Sequence, residues 1–153
     1  MLVLYRVAKA RYPVFDGTGA SLEGGRWNSP GRPVIYAATC LAGSLLELLV
    51  HAGPREKLPG AHHCARARFP DDVEVQLLDE AVFPGWEAPD SAVARAAGDA
   101  WLSEARSVAL SVPALTARPF GRHVLLNPLH REFARIEIEP AVPIVWDTRL
   151  FRV

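Results

Sequence analysis

The residues best suited to chemistry lie in one stretch, residues 24–53, which reads GGRWNSPGRPVIYAATCLAGSLLELLVHAG. Arg26 and Arg32 flank a turn in it, and each follows a glycine that lets backbone come close to a ligand. A guanidinium fork beside such backbone is a good receptor for phosphate or carboxylate. The sequence has neither a GxGxxG nor a Walker A motif, so both standard phosphate loops are excluded. Anion binding through arginine side chains is therefore predicted, with solvent-exposed loop arginines as the alternative.

Glu47 is the carboxylate of a predicted apolar helix over residues 40–52. It lies away from a wide apolar stripe made of Leu41, Ala42, Leu45, Leu46 and Leu49. Gly43, one turn earlier, is costly inside a helix, so it either clears space beside the carboxylate or lets the helix pack closely on a sheet. The alternative for Glu47 is a solvated helix face, with His51 as its exposed hydrogen-bond partner.

Three further side chains are candidates with a structural alternative. Tyr36 belongs to a buried strand, and its hydroxyl needs a partner. Trp27 and Tyr36 are residue types found more often in a core than stacked on a ligand. Asn127, in the turn sequence NPLH, either holds a ligand or caps the turn.

Metal binding and a serine-hydrolase site are both disfavoured. The cluster His62-His63-Cys64 consists of adjacent residues, which cannot complete a tetrahedral site, and no second pair has suitable spacing. A Ser-His-Asp triad has no GxSxG elbow to support it.

Composition limits the classes of partner. The 153 residues carry 17 basic and 17 acidic side chains, which argues against non-specific nucleic-acid binding. No apolar run is long enough to span a membrane. Without a signal peptide at the N-terminus, we expect a cytoplasmic protein in which Cys40 and Cys64 are reduced, buried thiols.

The elements that must position these residues form a single domain over residues 1–153. Helices are predicted at 40–52, capped by Thr39 and stopped by Gly53-Pro54, and at 91–105, capped by Asp90-Ser91. Residues 13–33 are predicted to be an irregular loop with a tight turn at 28–31. Strands are predicted at 2–7, 33–38, 63–69, 73–79, 107–112, 123–127, 134–139 and 143–147. This irregular order of strands and helices favours an α+β domain.

Several motifs together resemble the RES family, the toxins of bacterial toxin–antitoxin pairs. The matching segments are LYR (4–6), GGRWNSPGRPVIYAA (24–38), LLELLVH (45–51), VP (112–113), LLNPLH (125–130) and DTRLF (147–151). The resemblance implies a compact α+β fold similar to ADP-ribosyltransferase toxins, with mixed or antiparallel sheets flanked by a few helices. It also implies a cognate Xre-type helix-turn-helix antitoxin covering the active-site opening, and toxin self-association within that complex.

The same resemblance implies NAD as substrate, no metal, and cleavage of the nicotinamide–ribose bond. The family arginine falls on Arg26, with Arg6 as a second, the glutamate on Glu47 and the tyrosine on Tyr36. Glu47, Arg26 and Tyr36 are therefore the expected catalytic residues. The expected NAD-binding residues are Arg6, Arg26, Arg32, Tyr36 and Asn127.

One position departs from the family pattern. The family usually has VPS where this chain has Val112-Pro113-Ala114. Ser111 is three residues from the expected place, which puts it on the opposite face of a strand. Thr116 lies on the same face as Ala114, further along.

The expected reaction is NAD degradation by hydrolysis or phosphorolysis. Two alternatives stay open: transfer of ADP-ribose to a protein, and a catalytically weakened module that binds NAD or an antitoxin segment. An RNA-cleaving toxin is disfavoured because the chain has no basic excess.

Overall fold

An eight-stranded mixed sheet is the centre of the fold in the computed structural model, which describes residues 1–53 and 58–152. The strands are β1 (Val3–Lys9), β2 (Ile35–Ala38), β3 (His62–Arg68), β4 (Val75–Leu77), β5 (Ala109–Pro113), β6 (Arg122–Leu126), β7 (Glu137–Ile138) and β8 (Val142–Pro143). The helices among these residues are α1 (Thr18–Glu23), α2 (Leu41–His51) and α3 (Ala92–Glu104). The strand order is β4-β5-β6-β2-β1-β3-β7, and β8 also pairs with β3. Only β4 and β5 are parallel, so the predicted α+β class is confirmed.

The sheet separates two apolar clusters. Leu4, Ile35 and Leu126 belong to the cluster on one face. Trp27, Leu125 and the α3 residue Trp101 belong to the cluster on the other face. Because side chains alternate along a strand, each residue of β2 and β6 is assigned to one of these two sides.

A seam runs through the sheet between β1 and β2. These strands share a single residue pair, Tyr5 with Ala38, whereas β1 pairs with β3 at seven positions. At the seam Arg6 donates from Nε to the Val14 carbonyl and from Nη1 to the Tyr36 carbonyl, each at 2.6 Å. At the Tyr36 carbonyl of β2, a side chain thus supplies a bond that a β ladder would otherwise make.

Helix α2 begins one residue later than predicted. Cys40, not Thr39, is its N-cap, and the Cys40 Sγ accepts a hydrogen bond from the Gly43 amide at 3.3 Å. The predicted cap at Thr39 is therefore wrong. The Cys40 thiol accepts the capping hydrogen bond that was expected to go to the Thr39 hydroxyl. Gly53 has φ +79°, in agreement with the predicted stop, and Pro54 lies outside the described residues.

The packing of α2 explains its glycine. Leu49 and Ser44 are buried, while Ala42 of the predicted apolar stripe is exposed. A Cβ at Gly43 would lie 3.3 Å from the Cβ of Ala38 on β2. Close approach of helix and sheet is thus the reason for the glycine.

Cys40 also corrects the prediction of two buried thiols. Cys40 is exposed and Cys64 partly buried, and both are free. The position of Cys40 at a surface helix end leaves its thiol in contact with solvent.

Helix α3 is fixed at its start and middle by two contacts. The Asp90 carboxylate accepts from the Ala92 amide at 3.0 Å, whereas Ser91, at φ +57°, makes no side-chain cap bond. A Cβ at Gly98 would lie 1.7 Å from the Trp27 carbonyl oxygen. The helix therefore touches the backbone of the loop that carries Arg26.

Three predicted segments differ from the structure. Residues 13–33, predicted to be irregular, contain α1, although Gly31 has the expected left-handed conformation at φ +88°. Residues 134–139 form the end of a 3-10 turn, Arg131–Arg135, and the two-residue β7. Residues 143–147 contribute only the last residue of β8. In the second segment, Ile136 is buried while Ile138 is 42% exposed, so the alternating pattern does not mark one strand face.

Candidate active site

The Glu47 carboxylate is held by three side chains. Its Oε2 accepts a hydrogen bond from Thr116 Oγ1 at 2.9 Å and lies 3.2 Å from His123 Nε2. Its Oε1 lies 3.2 Å from His51 Nε2, which confirms the predicted helix-surface partner. Thr116 lies in a 3-10 turn after β5, and His123 lies on β6. Three separate parts of the chain therefore meet at one acid.

These contacts keep Glu47 ionised. The hydrogen bond with His123, then that with Thr116, lowers the pKa of Glu47 from 4.5 to about 2, against the opposing effect of burial. The side chain is 38% exposed, so the carboxylate is reachable from solvent. An acid with so low a pKa is a poor proton donor or acceptor near neutral pH. It is suited to stabilising positive charge.

The pairing of β2 with β6 brings Tyr36 to the same side of the sheet. Ala38 is opposite His123, and Tyr36 is opposite Leu125. Since residues two apart on a strand share a face, Tyr36 and His123 are diagonal neighbours on the face that carries Leu125. The tyrosine and the acid cluster therefore share one face.

The Tyr36 hydroxyl is bound by the glycine-rich turn, as its need for a partner predicted. It donates to Asn28 Oδ1 at 2.7 Å and accepts from the Trp27 amide at 3.0 Å. A Cβ at Gly25 would lie 2.6 Å from this hydroxyl, so the turn needs glycine there. Burial raises the pKa of Tyr36 to about 12, which keeps the phenol neutral.

Arg26 points from the same turn toward a tryptophan loop. Its Nη1 donates to the carbonyls of Trp86 and Ala88, at 3.1 and 2.9 Å. The Trp86 ring stacks on Trp27 with centroids 5.9 Å apart. Arg118 lies over the Trp86 ring at 5.6 Å. Arg26 is thus oriented by two backbone carbonyls beside Trp86, whose ring also contacts Trp27 and Arg118.

Arg32 and Asn127 both have hydrogen-bond partners within the protein. Arg32 Nη1 donates to the Asp99 carbonyl at 3.2 Å and to Ser103 Oγ at 2.6 Å, which ties the turn to α3. Asn127 is buried, and its Oδ1 accepts from the Leu129 amide at 3.0 Å. These contacts show turn capping by Asn127. The proposed ligand roles of Arg6, Arg32 and Asn127 stay predictions.

Position 114, where the family usually has a serine, carries an alanine in this chain. Ala114 is buried, and Ser111 Oγ accepts from Arg122 Nε at 2.9 Å. Ser111 pairs with Val124, on the face away from His123. Thr116 is therefore the hydroxyl from this segment that reaches Glu47.

Sequence reasoning missed His123 and Asn28. His123 is the second residue of β6, and the alternation of this strand puts it on the side of Leu125, which was a usable signal for its face. The contact with Glu47 depends on the pairing of β2 with β6, and no pattern in one strand reports that pairing. Asn28 was assigned only to the turn, and its fully buried carboxamide was not expected.

Three other kinds of feature could mark a function among the described residues: a metal site, a membrane-spanning helix and a surface hollow. Within residues 1–53 and 58–152, no group of three or more His, Cys, Asp or Glu side chains could hold a metal ion. In the same ranges, no helix has both the length and the apolar character to cross a membrane. A surface hollow of about 240 Å³ beside α1, lined by Phe15, Leu22 and Pro128 among others, contains none of the predicted site residues.

Known proteins of similar sequence and structure identify the family. The model of the RES domain matches residues 3–147. A Toxin Res of Pseudomonas putida is 35% identical over 153 residues, covering 98% of this chain and all of that protein. A protein called Prs ADP-ribosylating toxin, from a Sphingobium species, is 31% identical over 141 residues, covering 90% and 86% of the two chains.

The fold also has a counterpart among solved structures. The crystal structure of the Mycobacterium tuberculosis MbcT–MbcA toxin–antitoxin complex contains a chain with a TM-score of 0.78. The similarity covers 94% of this chain and 84% of that one at 20% identity, so it shows a shared fold. Together with the family match and the curated relatives, it establishes that this chain belongs to the RES domain family of toxins.

Proposed function

We propose that this chain cleaves NAD at the bond between nicotinamide and ribose. The observation that carries the proposal is the Glu47 carboxylate, which is held by Thr116 and His123, is ionised at neutral pH and lies over the sheet face shared with Tyr36. Loss of nicotinamide leaves positive charge on the ribosyl carbon, and a nearby carboxylate stabilises that charge. The pyridinium ring leaves as a neutral molecule, so no general acid is required. The side chains that contact Glu47 within the described ranges are two histidines and a threonine, and a carboxylate in such surroundings suits this chemistry.

The remaining residues would bind and orient the dinucleotide. Arg26 and Arg6 are proposed to hold its diphosphate, because guanidinium groups bind phosphate oxygens in pairs. Tyr36, neutral and fixed by Asn28, would border the nicotinamide ribose. Arg32 and Asn127 are proposed as secondary contacts.

A nicotinamide-release assay tests the reaction. Purified protein is incubated with NAD, with and without inorganic phosphate, for wild type, Glu47→Gln and the matched surface variant Glu74→Gln. We expect release by wild type and Glu74→Gln, and a loss of at least about a hundredfold in Glu47→Gln, the scale seen when an electrostatic stabiliser is removed. Acceleration by phosphate would identify phosphorolysis, and indifference to phosphate would identify hydrolysis.

Two results would contradict the proposal. Equal release by wild type and Glu47→Gln would remove the carboxylate from the reaction. Tight NAD binding by the wild type without release would support the alternative of a non-catalytic binding module.

Protein ADP-ribosylation is the second candidate. The Sphingobium relative is described as an ADP-ribosylating toxin. The same ionised carboxylate would serve this transfer, with a protein side chain replacing water or phosphate as the acceptor. Incubation with NAD labelled in its adenylate phosphate distinguishes the reactions: label on protein indicates transfer, and label only in small molecules indicates NAD degradation.

We further propose that the chain acts as a toxin with a cognate antitoxin of Xre type that covers the active-site opening, with toxin self-association in the complex. The MbcT structure was determined as a toxin–antitoxin complex. Co-expression with a helix-turn-helix protein that is encoded next to this chain should give a stable complex in which NAD cleavage is suppressed. Unchanged NAD cleavage in such a complex would contradict this arrangement.

A further inference from the structure

Arginine pairing is uneven across the molecule. Within the described ranges, seven arginines are in ion pairs with carboxylates: Arg32, Arg66, Arg68, Arg106, Arg122, Arg135 and Arg149. The other described arginines are in no such pair there: Arg6, Arg11, Arg26, Arg95, Arg118, Arg131 and Arg152. Three of them, Arg26, Arg95 and Arg118, lie close to Trp86 or to Tyr36. We call these three residues the arginine cluster.

Two members of the cluster meet at Trp86. Arg26 donates to the Trp86 carbonyl, and Arg118 lies over its ring at 5.6 Å. A guanidinium on an aromatic face keeps its N–H groups at the ring edge free to bind an anion. The cluster thus concentrates positive charge beside one indole.

Arg95 lies on α3, one turn before Gly98. Gly98 touches the Trp27 carbonyl, so the side of α3 that carries positions 95 and 98 faces the Arg26–Trp27 loop. Arg95 and Arg26 both act to lower the pKa of Tyr36 against the larger effect of burial, in keeping with a position near its hydroxyl. Arg95 therefore belongs to the surroundings of the turn.

The Arg95 Nε is buried and has no hydrogen-bond partner among the residues the structure describes. A buried N–H of a charged group without an acceptor is costly, so native proteins rarely keep one without a functional reason. The carboxylate one helical turn away, Asp99, is already engaged by the Ser29 amide at 2.9 Å and the Ser29 hydroxyl at 2.5 Å. An anion bound beside α3 would supply the acceptor that this Nε lacks.

We propose that Arg95 is an anion-binding residue which, together with Arg26, holds the diphosphate of a dinucleotide. Arg95 would add a guanidinium from α3 to those of Arg26 and Arg6, which are already proposed to bind the two phosphates. The identification of the dinucleotide as NAD rests on the proposed function. Inorganic pyrophosphate shares the anion chemistry and does not depend on that function.

Calorimetric titration with pyrophosphate and with NAD tests the proposal. The variants are Arg95→Gln, Arg95→Lys and the control Arg106→Gln, which changes an exposed arginine paired with Glu104. We expect Arg95→Gln to raise both Kd values by about tenfold or more, the effect of losing a charge-assisted hydrogen bond. Arg95→Lys should fall in between, and Arg106→Gln should match wild type. In NAD turnover, KM should rise in Arg95→Gln while kcat changes little.

Each outcome decides a separate point. Equal Kd values in wild type and Arg95→Gln, or no binding of either anion by wild type, would overturn the anion site. Arg95-dependent binding of pyrophosphate without NAD binding would uphold the site and reject the proposed function. If Arg95→Gln does not fold, an unchanged pyrophosphate Kd in Arg95→Lys would still overturn the proposal.

Discussion

Replacing His123 with alanine is expected to raise the pKa of Glu47 more than replacing His51 does. Both imidazoles have Nε2 at 3.2 Å from a Glu47 oxygen. His123 is 14% exposed and His51 is 75% exposed. Water screens the exposed contact and competes for its hydrogen bond, so equal distances should not give equal effects.

The size of the effect follows from the lowered pKa of Glu47. The difference between 4.5 and about 2 would correspond to roughly 3 kcal/mol in a shielded group, at about 1.4 kcal/mol per pKa unit. Because the Glu47 side chain is 38% exposed, solvent screening reduces the stabilisation to about 1 kcal/mol. His123 is the largest cause, so its removal should raise the pKa of Glu47 by about one unit or more.

Carbon-13 NMR of the Glu47 carboxyl, titrated from pH 6 to about pH 1, measures the pKa of Glu47 directly. The signal is assigned by its loss in Glu47→Gln. We expect a higher midpoint in His123→Ala than in wild type, and a midpoint close to wild type in His51→Ala. Equal midpoints in both histidine variants would refute the argument from burial. A wild-type midpoint at or above 4.5 would refute the description of the site.

The lowered pKa of Glu47 also sets the direction in which the free energy of unfolding depends on pH. The pKa of Glu47 is lowered on folding, so its stabilising contribution is present above pH 4.5 and disappears as the pH falls toward 2. The difference in unfolding free energy between wild type and Glu47→Gln should therefore shrink over this window.

Three further substitutions test contacts in and around the site. Thr116→Val removes the hydroxyl that binds the acid, and nicotinamide release should fall about fivefold, the effect of one hydrogen bond of about 1 kcal/mol. Gly98→Ala puts a Cβ against the Trp27 carbonyl, and urea unfolding should show a loss of about 2 kcal/mol or more. Arg6→Met leaves the carbonyls of Val14 and Tyr36 without their donor, and urea unfolding should show a loss of similar size.

Controls for these substitutions are available in the chain. Thr116→Ser keeps the hydroxyl and should keep most of the activity. Gly19→Ala, on α1, meets nothing within 4 Å and should leave stability unchanged or slightly raised. Full activity in Thr116→Val, or unchanged stability in Gly98→Ala or Arg6→Met, would contradict the corresponding contact.

Local patterns in the sequence were sufficient for the main elements. Helices α2 and α3 and strands β2, β5 and β6 lie close to their predicted places, because apolar periodicity and β-branched residues depend on local order. Helix α1 was missed because its six residues, TGASLE, include glycine and serine and have no side-chain N-cap bond. A short helix of this kind depends on its surroundings more than on propensity.

The candidate site was predictable only in part, because two of the three side chains that contact Glu47 are far from it in sequence. Glu47 and its partner His51 are four residues apart, so helix geometry predicts their contact. His123 and Thr116 are 76 and 69 residues from Glu47, and they reach it through strand pairing and a turn. The anion-binding interpretation of Arg95 likewise depends on tertiary packing of α3, which a single sequence does not report.

The seam between β1 and β2 changes what a substitution can do to the sheet. In an ordinary ladder the backbone makes the bonds, so most residues are tolerated at any one position. Here the guanidinium of Arg6 spans the two halves, and neither a shorter cation nor an apolar side chain offers the same pair of donors. The join between β1 and β2 therefore depends on one particular side chain as well as on backbone pairing.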